Sequence, residues 1–180
     1  MPAIRVGILT LSDRSFRNER PDLSGPALVE HCQKIGWSVS KTAILPDDLA
    51  PISSLLIDWA DSNELDLILT TGGTGFAPRD NTPEATLAVI HRAAPGLAEA
   101  MRSASLTITP HAMLSRAAAG IRNRTLIINL PGSPRAAIEN LLIIQPVLPH
   151  AVQLLQEDAA SEAGHAFQDK KKSEYGHLQP

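Results

Sequence analysis

The sequence predicts an α/β fold, a three-layer, mostly parallel sheet with one antiparallel hairpin added. Three observations predict it. Short, β-branched apolar runs alternate with segments of helical periodicity, which is the pattern of parallel strands joined by crossover helices. The run at residues 66–71 is apolar without alternation, as a strand buried on both faces must be, and it leads into Gly72-Gly-Thr-Gly75. Residues 117–121 and 125–129 flank Arg122-Asn-Arg124, which reads as a hairpin around a short turn containing Asn123.

Taken in order, residues 4–11 form the first buried strand, ending in Ser12-Asp-Arg14, and residues 17–22 form a polar loop containing Pro21. Ser24-Gly-Pro26 opens a helix through about Ile35, stopped by Gly36; Leu28, Val29, Cys32 and Ile35 share one face of it. Residues 37–45 give a second strand. Pro46-Asp-Asp48 then leads into a helix bearing Ile52, Leu55, Leu56 and Trp59. After the glycine loop, Thr82 is expected as an N-cap, with Pro83 at the first helical position and Glu84 in the first turn. That helix runs to His91, whose charge would suit the negative end of the dipole, and Pro95-Gly96 breaks it. A helix at residues 97–106 stops before Pro110, and Leu114-Ser-Arg116 reads as a turn. Beyond the hairpin, Ser133 and Pro134 repeat the cap and first-turn proline of a helix through Ile144, and residues 146–156 add a last helix. Residues 1–158 are expected to form one domain and 159–180, rich in Gly, Ser, Lys, Glu and Gln, a flexible tail.

At 180 residues and 43% hydrophobic content the chain is long enough for one well-formed core. A net charge of −3 without a basic or aromatic-interleaved stretch argues against nucleic-acid and membrane-surface binding. The single cysteine, Cys32, excludes a disulfide framework and a cysteine metal site. No signal peptide and no apolar run long enough to span a bilayer is read, so a cytoplasmic location is expected. Three of the five lysines lie near the C-terminus, which leaves the body to arginine, suited to bidentate recognition of phosphate or carboxylate.

In open sheets of this class ligands bind outside the carboxyl ends of the strands. The loops after Leu11, Leu45, Thr71 and Asn129 should therefore share one edge. The glycine loop is not a P-loop, because it lacks the lysine and the second glycine at the required spacing. It is not a dinucleotide fingerprint either, because it follows the third strand and runs into Pro78. Its amides and the helix start behind it still favour an anion. Asp47 and Asp80 both follow strands at that edge, and carboxylates beside phosphate imply a cation. Mg²⁺, bound through one or two carboxylates together with phosphate oxygens, fits the pair. Taken singly, Asp47 could cap its helix, and Asp80 could pair with Arg79 or cap a turn. No histidine pair at ligand spacing and no nucleophile motif points to a zinc or serine hydrolase.

Thr71-Gly-Gly-Thr-Gly75, Pro78-Arg-Asp-Asn-Thr-Pro-Glu-Ala-Thr86, Pro95-Gly96, Ala112-Met-Leu-Ser-Arg116, Ala119-Gly-Ile121 and Leu126-Ile-Ile-Asn-Leu-Pro-Gly-Ser-Pro134, with Thr10-Leu-Ser-Asp13, Asp22-Leu-Ser-Gly-Pro26 and Pro46-Asp-Asp48, closely resemble the molybdopterin adenylyltransferases of molybdenum cofactor biosynthesis. The gephyrin G domain looks similar. The resemblance covers residues 4–155 and not the tail. It implies the molybdenum-cofactor-biosynthesis-domain fold and a homotrimer that joins AMP from ATP to the terminal phosphate of molybdopterin, releasing pyrophosphate. It also implies transient contact with molybdopterin synthase and the molybdate-inserting enzyme. By residue matching, Asp47 and Asp80 would hold Mg²⁺, the amides of Gly72, Gly73, Thr74 and Gly75 would meet phosphate or nucleotide, and Thr71 and Thr74 would add hydroxyls. Ser12, Asp13, Ser115, Arg116, Asn129, Pro131, Gly132 and Ser133 would line the pterin and nucleotide pockets, undivided between the two ligands. The attacking phosphate needs no general base, which agrees with the absence of a histidine from every motif. The alternatives are a non-catalytic trimeric molybdopterin-binding or scaffold protein and a relative that hydrolyses nucleotide pyrophosphates. Two acids beside a phosphate favour the transferase over a pure binder.

Overall fold

The structure is a computed structural model that describes residues 3–156; the expected tail at 159–180 lies outside the described residues. Six strands form one sheet in the order β2-β1-β3-β6-β5-β4, with β1 Arg5–Leu11, β2 Ser38–Leu45, β3 Leu67–Thr71, β4 Arg92–Ala93, β5 Ala119–Arg122 and β6 Thr125–Leu130. β2, β1, β3 and β6 are parallel; β5 pairs antiparallel with β6, and β4 with β5. The expected hairpin is present. Arg122 pairs with Thr125 across it, and Asn123 takes φ +51° in the turn.

Side chains alternate between two cores on opposite faces, which is why the strands read as unbroken apolar runs. Val6, Ile8, Leu67, Leu69, Leu126 and Ile128 meet helices α2 Ser24–Lys34, α5 Pro95–Leu106, α6 Pro134–Ile144 and α7 Leu148–Leu155. Leu9, Leu11, Ile68 and Ile127 meet α3 Leu49–Asp61 and α4 Thr82–Val89 through Ile52, Leu56, Trp59, Ala85 and Val89. Leu69 on the central strand is wholly buried, so trimming it to alanine should cost about 2–5 kcal/mol.

Several local expectations are corrected. Ser12 does not merely end a strand: its hydroxyl accepts from Ser15 N at 3.2 Å and caps a four-residue helix, α1 Asp13–Phe16. Four residues carry no periodicity to read. Thr82 is not the side-chain cap of α4. Its hydroxyl donates instead to Gly72 O at 2.9 Å, and Asn81 stands at the N-cap without a side-chain bond to the helix. Pro95 starts α5 rather than ending α4, and the short strand β4 occupies the ground between. His91 lies beyond α4, and the carbonyl of Val89 accepts from Arg122 Nη1 at 2.9 Å, so arginine takes the role expected of histidine. Pro110 begins a 3₁₀ turn, Pro110–Leu114, and another, Gln145–Val147, precedes α7.

The stretch Pro134–Leu155 is long and apolar enough, at 22 residues, to cross a membrane by length and composition, contrary to the reading that none would be. It is broken by the 3₁₀ turn, and Ala137, Leu141, Ile144, Leu148 and Val152 bury one face in the core.

Register sets the functional edge. Leu11 pairs with Leu45, Thr10 with Thr71, and Thr71 with Leu130, so the four parallel strands end together. The loops beyond them converge as expected.

Candidate functional site

The glycine loop after β3 is shaped by two residues in the left-handed region, Gly72 at φ +102° and Gly73 at φ +62°. Other residues reach that conformation only with strain. Space is equally restrictive: a Cβ at Gly72 would lie 2.2 Å from Leu11 O, and one at Gly73 would lie 2.4 Å from Thr82 Oγ1 and 2.8 Å from Asp47 Oδ1. Two bonds from Thr82, its hydroxyl to Gly72 O and its N–H to Gly73 O at 3.2 Å, fasten the loop onto the start of α4.

The acids lie against this loop. Asp47, after β2, and Asp13, opening α1, exchange bonds: Asp13 N–H donates to Asp47 Oδ2 at 3.1 Å and Asp47 N–H to Asp13 Oδ1 at 3.2 Å. Asp47 is therefore not a helix cap. Its other oxygen, Oδ1, is buried with no hydrogen-bond partner among the described residues. Burial, chiefly, pushes its carboxyl above the ordinary range, and the charges of Asp13 and Asp80 push the same way. Asp80 Oδ2 accepts from Ala77 N at 3.0 Å, and a Cβ at Gly75 would lie 2.9 Å from it. Asp80 thus caps a turn, as one alternative held, but it does not pair with Arg79. Arg79 instead grips both oxygens of Asp13, at 2.5 and 2.9 Å, and Asp48 Oδ1 at 2.9 Å. The guanidinium holds the Asp13 carboxyl below its usual range.

These groups open on a cleft of about 690 Å³ that gathers eight of the expected residues: Ser12, Asp13, Asp47, Gly72, Gly73, Asp80, Gly132 and Ser133. Ser133 also caps α6, accepting from Ala136 N at 3.1 Å. Sequence reasoning missed three arginines on this cleft. Arg14, Arg17 and Arg20 line it, Arg14 from the stretch read as the end of the first strand and the other two from the segment read as a polar loop. Arg17 is paired with Glu19 at 2.6 Å. Three arginines spaced by three beside a predicted ligand edge were the available signal. Asp22 was also missed; its Oδ1 accepts from Ser24 N at 3.0 Å and Gly25 N at 3.2 Å to start α2, while Oδ2 accepts from Thr10 Oγ1 at 2.7 Å.

Other expected residues stand elsewhere. Thr74, Ser115 and Pro131 line a second cavity of about 220 Å³ with Arg102 and His111, so the glycine loop and the 131–133 loop form a partition between the two spaces. Thr71 is fully buried and donates its hydroxyl to Pro131 O at 2.7 Å, so it ties the two loops together and offers nothing to a phosphate. Gly75 O is taken by Arg116 Nε at 2.7 Å. Arg116 also reaches Asp80 O and the Glu84 carboxylate, which makes it the brace of the loop rather than a wall of the cleft. Asn129 is the clearest correction. It is wholly buried, with Nδ2 on Thr70 Oγ1 at 3.0 Å and Thr86 Oγ1 at 2.8 Å and Oδ1 on Ala118 N at 3.1 Å, so both its donors are spent inside the protein and its side chain does not reach the cleft surface.

No group of three or more His, Cys, Asp and Glu side chains able to hold a metal occurs among the described residues. A hard cation that brings phosphate oxygens with it needs only one or two carboxylates. The unpartnered Asp47 Oδ1 and the Asp80 carboxylate, both on the same cleft, fit that donor set.

The family described as "Probable molybdopterin binding domain" matches residues 7–150. The chain is 43% identical over 157 residues to a protein named molybdopterin adenylyltransferase from Helicobacter pylori J99, covering 86% of this chain and 89% of that one. It is 43% identical over 175 residues to gephyrin from Dictyostelium discoideum, covering 92% of this chain but spanning only 24% of gephyrin's own length. Among solved structures it is similar to the molybdopterin biosynthesis enzyme MoaB of Thermus thermophilus, with TM-score 0.79 and 52% identity, covering 86% of this chain and 97% of that one.

Proposed function

The chain belongs to the probable molybdopterin binding domain family, and from that membership we propose that it is a molybdopterin adenylyltransferase of molybdenum cofactor biosynthesis. An oxygen of the terminal phosphate of molybdopterin attacks the α-phosphorus of ATP; the bond to pyrophosphate breaks, pyrophosphate leaves and adenylylated molybdopterin remains. The nucleophile is already anionic at neutral pH, so positioning and charge neutralisation are what the protein must supply.

The observation that carries the reading is the pair Asp47 and Asp80. Both carboxylates press on glycines of one loop, in a cleft that also offers amides, hydroxyls, arginines and the carboxylates of Asp13 and Asp22, which are already engaged by Arg79 and by Thr10, Ser24 and Gly25, and one oxygen of Asp47 is buried without a partner. A bare anion site would gain nothing from these acids. They would hold Mg²⁺, which when bound neutralises triphosphate charge between substrate and carboxylate. Gly72 and Gly73 line the cleft, and Ser12 and Ser133 border the same space. Arg14 and Arg20, which also line the cleft, would supply guanidinium charge for the leaving pyrophosphate.

A homotrimer goes with this reading, and exposed apolar side chains on and around the packed elements α5 and α6 support it: Leu106, Ile108, Met113, Leu114, Leu142 and Ile143. Use of ATP goes with a cytoplasmic location, with molybdopterin synthase supplying the substrate and the molybdate-inserting enzyme consuming the product.

The test is direct. Purified protein with Mg²⁺, ATP and molybdopterin is expected to yield the AMP adduct and pyrophosphate. Tight pterin binding with no adduct would instead make it a binding or scaffold protein of the same fold.

A further inference from the structure

Both neighbours of Asp80 bond to the segments that carry or hold Asp47. Arg79 holds Asp13 through two bonds and Asp48 through a third. Asn81 Nδ2 donates to the Asp47 carbonyl at 3.0 Å. Asp13, gripped by Arg79, in turn exchanges hydrogen bonds with Asp47. The chain on either side of one acid is thereby stapled to the chain around the other. None of these contacts uses the Asp80 carboxylate or Asp47 Oδ1.

We propose that Arg79 and Asn81 are positioning residues that fix the Asp47 and Asp80 carboxylates relative to each other, and that Arg79 is not itself a ligand for the nucleotide. This rests on the reading above that the two acids hold the metal of a metal–triphosphate. The Arg79 side chain is 56% exposed, so its ion pairs add little to stability by themselves. What the forked guanidinium supplies is geometry, since it bonds Asp13 and Asp48 at once from a planar group. It also occupies the two carboxylates that would otherwise compete with Asp47 and Asp80 for a cation. Groups that orient metal ligands commonly govern affinity without touching the metal.

The sign of one measurement separates geometry from charge. If Arg79 acted only through its charge, removing a cation from beside a cation site would tighten metal binding. A staple predicts the reverse. Mn²⁺ serves as the probe, titrated by electron paramagnetic resonance into the full chain with and without ATP, for the wild type, Arg79→Ala, Arg79→Lys and Asn81→Ala. With ATP present, Arg79→Ala is expected to weaken Mn²⁺ binding by the order of 10- to 100-fold, with Arg79→Lys and Asn81→Ala in between. Melting temperatures recorded alongside should stay within about 4 °C of wild type, the scale of 1 kcal/mol in a chain of this size. Unchanged or tighter Mn²⁺ binding in Arg79→Ala overturns the proposal. So does a loss of metal-free ATP binding, which would make Arg79 a direct phosphate ligand. Should Arg79→Ala fail to fold, the lysine and Asn81 variants carry the test, and wild-type affinity in both overturns it. A wild-type protein that binds no Mn²⁺ with ATP removes the metal reading itself and the staple with it.

Discussion

Asp13 and Asp47 each donate a backbone N–H to the other's carboxylate, at 3.1 and 3.2 Å, and this exchange leaves Asp47 Oδ1 buried and unpaired. A carboxylate oxygen held this way destabilises the empty protein and is available to a cation. If Asp47 holds the metal as proposed, function and stability are opposed at this residue.

Asp47→Asn should therefore stabilise the ligand-free chain while removing turnover. Because burial raises the Asp47 carboxyl in the folded state, the folded chain holds this proton more tightly than the unfolded chain does. Stability from this group is full below the unfolded value, about 3.9, and is lost as pH rises through the higher folded value. The variant lacks this titration. Its melting temperature relative to wild type should rise with pH, reaching an advantage of roughly 2–4 °C at pH 7, the shift expected for about 1 kcal/mol. Asp13 titrates in the opposite sense, being held low by Arg79, but it is present in both proteins and largely cancels in the difference. Melting curves from pH 4 to 8 check this; an advantage that shrinks as pH rises would contradict it.

Asp80→Asn should separate fold from turnover more cleanly. The amide keeps an acceptor for Ala77 N and leaves the Asp80 carbonyl to Arg116. Melting should change by less than about 2 °C, within the range of benign surface substitutions. Adduct formation should fall on the order of 100- to 1,000-fold, the scale for one lost preorganised electrostatic contact. Wild-type activity would leave Asp80 as a turn cap only.

Gly73→Ala should damage both properties. The backbone angle of +62° strains any L-residue, and the new methyl would meet Thr82 Oγ1 and Asp47 Oδ1. The strain alone is about 1–3 kcal/mol, and displacing Asp47 should weaken metal–nucleotide binding beyond that. Calorimetric melting together with ATP affinity in Mg²⁺ measures the two losses. A variant with native stability and native affinity would show that the loop relaxes freely.

These particulars show what was legible before the structure. Strands buried on both faces write themselves as continuous apolar runs, so β1, β3 and β6 and the shared edge of their loops could be read directly. The cap at Ser133 and Pro134 was readable because its partner, Ala136 N, is three residues away. Thr82 and Pro83 present the same local signal, yet the hydroxyl of Thr82 is drawn to Gly72 O, a partner set by tertiary packing. Asp47 and Asp80 could be singled out because their loops follow strands that end at the same edge of the sheet. Arg14, Arg17 and Arg20 were not legible because a strand end and a polar loop resemble any others until the cleft they border is known. Motif matching placed Asn129 correctly in the chain but could not reveal which way its amide is spent.

Asn129 gives the sharpest contrast between motif and structure. As a ligand contact, Asn129→Ala would raise the KM of one substrate and leave melting nearly unchanged. The structure implies the reverse. Truncation strands the Ala118 N–H and takes donors from the buried Thr70 and Thr86. A buried group left without its partner costs about 1–3 kcal/mol, and the vacated space adds to it. A total of roughly 2–4 kcal/mol should lower melting by about 5–15 °C, with KM values close to wild type below the new transition. Because Ala118 leads into β5 and Thr86 lies in α4, the loss should also appear as faster amide exchange across the hairpin. A variant with native melting and a tenfold higher KM would return Asn129 to the ligand pocket.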